Sequence, residues 1–138
     1  MTIHAYTDGA SRGNPGDSGI GIVLKDENGT LIDSQFGFIG TATNNIAEYT
    51  ALLACLKLAQ KHGCTNLVVH SDSELMVRQL NGKYKVKDAG LKKQFLNVRS
   101  ILMASPFRFE IRHVPREQNR DADRLANRGI DSKVPLAV

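Results

Sequence analysis

No apolar run in the chain approaches the length a membrane span needs. The first residues also lack a basic segment followed by an apolar one, so no secretory leader is expected. No membrane partner is expected, and the expected address is cytoplasmic. Cysteine is scarce. Cys55 and Cys64 stand nine residues apart with no matching histidine or cysteine cluster, so neither a disulfide nor a structural zinc is expected. Cys55 falls inside an apolar helical pattern, as a core thiol would. Internal repeats, low-complexity tracts and linkers are missing too. The 138 residues are therefore expected to form one domain over 1–129, with a tail over 130–138.

What is present is an ordinary globular composition with an uneven charge. Hydrophobic residues make up 41% and charged residues 23% of the chain. The formal net charge of +4 divides into +8 between Arg78 and Arg128 and −4 over the remainder. The second half suits a polyanion, and the first half holds most of the acids that could do chemistry.

Periodicity divides the chain into alternating elements. Ile3, Ala5 and Thr7 alternate with His4, Tyr6 and Asp8, predicting a strand that ends in an acid. A loop over Gly9 to Gly16 is expected to follow. Gly19 to Leu24 and Leu31 to Phe38 predict two more strands, joined by a hairpin at Asn28-Gly29. Ile46 to His62 predicts a helix with Thr43 or Asn44 as cap and Gly63 as stop. Glu48, Leu52, Cys55, Leu56 and Ala59 share its core-facing stripe, which leaves Glu48 an acid facing the sheet. Thr65 to Asp72 is an apolar strand, parallel to the first, that again ends in an acid. Ser73 to Leu80 and Leu91 to Met103 predict helices, with a lysine-bearing loop over Lys83 to Lys87 between them. Phe107 to His113 predicts a fifth strand. Asn119 is expected to cap a last helix that carries Asp123 and ends by Gly129.

Four acids on separate elements, Asp8, Glu48, Asp72 and Asp123, are thus expected at one edge of the sheet. Each alone is an ordinary turn, cap or surface residue. Together and uncompensated they would repel one another and lose solvation. Hard divalent cations relieve this, since Mg²⁺ takes oxygen ligands and keeps waters for other chemistry.

The sequence resembles the ribonuclease H family, type 1, in the form that lacks the basic protrusion. The matching stretches are Thr7-Asp8-Gly9-Ala10-Ser11 with Gly13-Asn14-Pro15-Gly16, Thr43-Asn44-Asn45-Ile46-Ala47-Glu48, Ser71-Asp72-Ser73, and His113-Val114-Pro115 through Asp123-Arg124-Leu125-Ala126. The resemblance implies an α/β fold with a five-stranded mixed sheet in order 3-2-1-4-5, strand 2 antiparallel. It implies an endoribonuclease that hydrolyses the RNA strand of RNA–DNA hybrids with two Mg²⁺ ions, Mn²⁺ being a substitute, and leaves 5′-phosphate and 3′-hydroxyl ends. Double-stranded RNA is the alternative substrate, since both duplexes line a shallow groove with 2′-hydroxyls. Asp8, Glu48, Asp72 and Asp123 would hold metal, with Asp8 shared by both ions. Gly9, Ser11, Asn14, Thr43, Asn44 and Asn45 would grip the substrate, although Asn44 and Asn45 equally suit helix capping. In the loop before the last acid, Arg116 fits the catalytic position that many members give to histidine, and His113 is the alternative. Where many members carry a long basic protrusion, Gly82 to Gly90 leaves room for a short lysine loop. A monomer is expected.

Overall fold

The computed structural model describes residues 1–136. Its elements are β1 (Thr2–Arg12), β2 (Gly16–Lys25), β3 (Leu31–Ala42), α1 (Asn44–Lys61), β4 (Asn66–Ser71), α2 (Glu74–Leu80), α3 (Ala89–Ala104), β5 (Arg108–His113), a 3-10 turn (Arg116–Gln118) and α4 (Arg120–Ser132). The strands form one sheet in the order β3-β2-β1-β4-β5. β2 runs antiparallel to β1 and β3, while β1, β4 and β5 are parallel. This is the mixed sheet the sequence implied.

Strand alternation explains the two helical layers. Ile3 and Ala5 on β1 lie beside Leu67 and Val69 on β4, which lie beside Phe109 and Ile111 on β5. With Leu52, Cys55, Leu56 and Ala59 of α1 they belong to the main apolar cluster. α1 packs on β1 and β2 and is backed by α3, whereas α4 packs on β2, β3 and β1. Burying an apolar side chain of this size contributes about 1.5–3 kcal/mol, so this layer supplies much of the driving force for folding. Cys55 and Cys64 are both buried free thiols. No helix among the described residues is long and apolar enough to cross a membrane.

Several boundaries differ from expectation, each for a local reason. β1 does not stop at Asp8: Gly9 to Arg12 continue it, paired with Ile20 to Asp17 of β2, and only residues 13–15 turn. Small residues let this end of the strand lie flat beneath a helix. β3 likewise continues past Phe38 to Ala42, through an irregular register opposite Ser18 and Gly19. α3 begins at Ala89, because the Asp88 side chain caps it by accepting from the Leu91 amide at 2.9 Å. Asn119 makes no capping bond to α4; its Nδ2 donates instead to the Thr7 carbonyl at 2.9 Å.

α4 does not end by Gly129. It runs to Ser132, so residues 130–132 of the expected tail are helical. Beyond it the Phe38 amide donates to the Val134 carbonyl at 2.7 Å, and Leu136 packs against the core cluster. Ala137 and Val138, the end of that expected tail, lie outside the described residues.

α4 approaches the sheet closely because Gly19 and Gly21 of β2 present no side chain beneath it. A Cβ placed on Gly21 would lie 2.2 Å from the Ala122 carbonyl oxygen. Gly21→Ala should therefore lower unfolding stability by about 2 kcal/mol or more, the scale of overpacking in a tight core. Urea denaturation checks this, and a loss below about 0.5 kcal/mol would show that α4 shifts freely.

Candidate active site

Asp8, Glu48 and Asp72 each offer a carboxylate oxygen, and the three atoms lie within 4.8 Å of one another. Asp8 comes from the middle of β1, Glu48 from the first turns of α1, and Asp72 follows the last residue of β4. β1 and β4 are parallel neighbours, with Thr7 beside Ser71, so both acids emerge at the same end of the sheet. The Thr43 hydroxyl caps α1 by accepting from the Ile46 amide at 3.2 Å, and so fixes the turn that carries Glu48. Glu48 is bound to β1 directly, its Oε1 accepting from the Gly9 amide at 2.9 Å.

The approach behind that bond depends on a missing side chain. A Cβ on Gly9 would lie 2.2 Å from the Ala47 carbonyl carbon and 2.4 Å from the Glu48 nitrogen. Gly9, expected in a loop, is a strand residue that lets α1 settle beside Asp8, and it also lines the cleft over these acids.

These carboxylates strain against one another. Burial, then the charges of Glu48 and Asp72, then Asp123, push Asp8 up to about 10. Glu48 is raised first by burial and then by Asp72, and the Gly9 amide opposes the shift. Asp123, on α4, lines the same cleft, as does Arg116, whose Nη2 is 3.9 Å from Asp123 Oδ1. The open cleft has a volume of about 480 Å³. All four expected acids thus meet there.

The other expected residues divide. Arg116 is exposed and lines the cleft, whereas His113 ends β5 beside Ser71 and is not among the lining residues. Ser11, Asn14 and Asn44 bond to one another's backbone. The Ser11 amide donates to Asn44 Oδ1 at 2.9 Å, and the Asn44 amide donates to Asn14 Oδ1 at 3.0 Å. They join the β1–β2 turn to the start of α1. Asn45 is exposed, and its amide has no partner among the described residues.

Arg12 and Asn127 also line the cleft and escaped sequence reasoning. Asn127 Nδ2 donates to the Asp123 carbonyl at 3.0 Å, and Arg12 Nη2 donates to Asn127 Oδ1 at 3.3 Å. Their signals were present in the spacing. Asp8 and Arg12 share a strand face, and Asp123 and Asn127 are one helical turn apart.

The family model described as reverse transcriptase-like matches residues 6–129. The crystal structure of RNase H1 from Halobacterium salinarum superposes with a TM-score of 0.91 at 41% identity, covering 96% of this chain and 99% of that one. The chain belongs to the ribonuclease H family, type 1. A second type 1 structure, LC11-RNase H1 in complex with an RNA/DNA hybrid, superposes at 0.91 with 43% identity over 94% of this chain and 97% of its own. Among curated relatives, ribonuclease HI of Halobacterium salinarum is 41% identical over 94% of this chain. A bifunctional protein of Mycobacterium tuberculosis is 42% identical over the whole chain. The chain spans 64% of the first and 38% of the second.

The raised Asp8 and Glu48 set a sign for stability. The folded state, when metal-free, holds these protons more tightly than the unfolded state. The stability they contribute is complete below about pH 4 and is lost as pH rises towards about 10. In EDTA the melting temperature should fall between about pH 5 and pH 9, and Asp8→Asn should flatten the fall and stabilise the metal-free protein by about 1.4 kcal/mol or more at the alkaline end. Calorimetry across that range checks both. A variant that falls as steeply as the parent would remove Asp8 from the repelling cluster.

Proposed function

We propose that this ribonuclease H chain is an endonuclease that hydrolyses the RNA strand of RNA–DNA hybrids, leaving 5′-phosphate and 3′-hydroxyl ends. The observation that carries it is the set of three carboxylate oxygens within 4.8 Å, two of them on buried side chains, at the floor of an open cleft. An all-oxygen donor set of this charge fits Mg²⁺ or Mn²⁺ and does not suit soft or imidazole-seeking ions. Asp8, Glu48, Asp72 and Asp123 would hold the metal. Two ions bound there would supply an activated water and stabilise the leaving oxygen of the phosphodiester.

The chain's own residues account for the rest. Burial and mutual repulsion make the acids poor at standing charged alone, which raises their affinity for a dication. The Gly9 amide keeps one oxygen of Glu48 occupied, so the other is free to face a metal or a ribose hydroxyl. Arg116, on an exposed 3-10 turn beside Asp123, is the cation that can meet a phosphate as it enters or leaves. Asn45, with Asn14 and Asn44 beside it, offers amides at the rim for the duplex backbone. Lys83, Lys85, Lys87, Lys92 and Lys93 are exposed and add positive charge on the α2–α3 side.

The decisive assay incubates end-labelled hybrid, double-stranded RNA and DNA with the protein and Mg²⁺ or Mn²⁺. Internal cleavage of the hybrid RNA strand is expected, and Asp8→Asn should reduce it by about 10³-fold or more, the scale of losing a metal-held nucleophile. Hybrid left intact under both metals would overturn the enzymatic reading, and faster cutting of double-stranded RNA would overturn the substrate.

The loop position is tested separately. Arg116→Ala should lower kcat about tenfold or more, while His113→Ala should stay within about threefold of the parent. Steady-state kinetics on the hybrid separate the two, and the reverse order would return the role to His113.

A further inference from the structure

Among the described residues, α4 covers its face of the sheet over β2, β3 and β1. Past the helix, β1 and β4 place two histidines side by side. His4 Nδ1 and His70 Nε2 are 3.1 Å apart, with one ring N–H donating to the other ring's nitrogen. The ring planes lie 25° apart with centroids 5.4 Å apart, so the rings meet edge to edge through those nitrogens, and Tyr6 stacks on His70 at 4.6 Å. The Lys25 ammonium lies 5.4 Å from the Tyr6 centroid. His70 is 9% exposed and His4 is half-buried, so the pair is held by packing yet open on one side. The carboxylate cleft does not use it: His4 lies four residues before Asp8, about 13 Å along the strand.

We propose that His4 and His70 form a two-imidazole site for a borderline transition ion, Cu²⁺, Ni²⁺ or Zn²⁺, distinct from the carboxylate cleft. Imidazole nitrogens are the preferred ligands of these ions. With metal–nitrogen bonds of about 2.0–2.1 Å, nitrogens 3.1 Å apart subtend about 98° at the ion, between the square or octahedral and the tetrahedral angle, and the rings turn by about 40° each from their head-on contact to aim both lone pairs at it. The ring that now donates moves its proton to its outer nitrogen, which frees both inward lone pairs with no net proton lost. Waters complete the coordination from the uncovered side. Glu110 and Arg112, the nearest charges on β5, are ion-paired with each other and leave little net field at the rings. Because the two ligands come from adjacent parallel strands, binding ties β1 to β4.

The test titrates the full chain with Cu²⁺ in excess Mg²⁺, which keeps the carboxylates occupied. Electron paramagnetic resonance and visible absorption are the readouts. One equivalent with a two-nitrogen signature is expected, with a rise in melting temperature. His4→Gln should reduce the affinity about tenfold or more, lose one nitrogen from the spectrum and abolish the thermal shift. His70→Gln should match it where it folds; His4→Gln, on the more exposed ring, decides the question alone. A parent protein without the two-nitrogen signature, or a His4→Gln variant that binds as the parent does, would overturn the site.

Discussion

The site depends on the contact between Gly9 and the first turn of α1. Only hydrogen atoms separate that strand residue from the backbone of Ala47 and Glu48, and the Gly9 amide itself holds Glu48. Asp8 is the preceding residue, so the spacing of the two acids is set by backbone against backbone. A side chain can change rotamer to escape a like charge, but a welded strand and helix cannot. The Thr43 cap and the Ser11–Asn44–Asn14 bonds reinforce the same junction from the turn side. The fold therefore holds together a cluster that electrostatics alone would scatter.

That arrangement has a cost, and its distribution explains the charge asymmetry of the chain. Two carboxylates are buried beside a third, and among the described residues neither has a cationic side chain bonded to it. The apolar layer between α1 and the sheet offsets the repulsion. Most positive charge lies on α3, the loop before it, β5 and α4, where it can act on a polyanion without neutralising the acids. Arg12 and Arg116 are the exceptions that reach the cleft. Arg12 is held by Asp131 and Asn127, which leaves Arg116 as the more available cation.

Glu48, Asp72 and Asp123 were legible in the sequence because each follows from a strong local rule: a core-facing helical stripe, a strand end, or an early helical turn. Asp8 came from the alternation of its strand, although that strand continues past it. The sheet order came with the motifs. The stretch after Asp8 was not legible, because glycine and small polar residues give the same turn signal whether they curl or lie flat. Here they lie flat, since α1 covers them and β2 pairs with them. Extending the strand to Arg12 would have put Asp8 and Arg12 on one face, opposite Asp123 and Asn127 one turn apart on α4, and both missed residues would have followed. Asn119 misled for a similar reason. Its sequence position is that of a cap, and only the tertiary structure shows the Thr7 carbonyl that takes its amide.

That bond from Asn119 to Thr7 decides which part of the cleft is rigid. Asn119 is 1% exposed, and its partner is the residue before Asp8. It fastens the start of α4, and hence Asp123, to the strand that carries the central acid. On the other side His113 is fixed in β5 beside Ser71, the residue before Asp72. Residues 114–118 are tied at both ends, with Arg116 on a single exposed turn between the ties. A short span anchored this way can move its side chains over the cleft without moving the acids. The carboxylates and the exposed Arg116 side chain are thereby separated by one buried hydrogen bond and the end of one strand. His113 is exposed, but its backbone belongs to the strand end and not to that span.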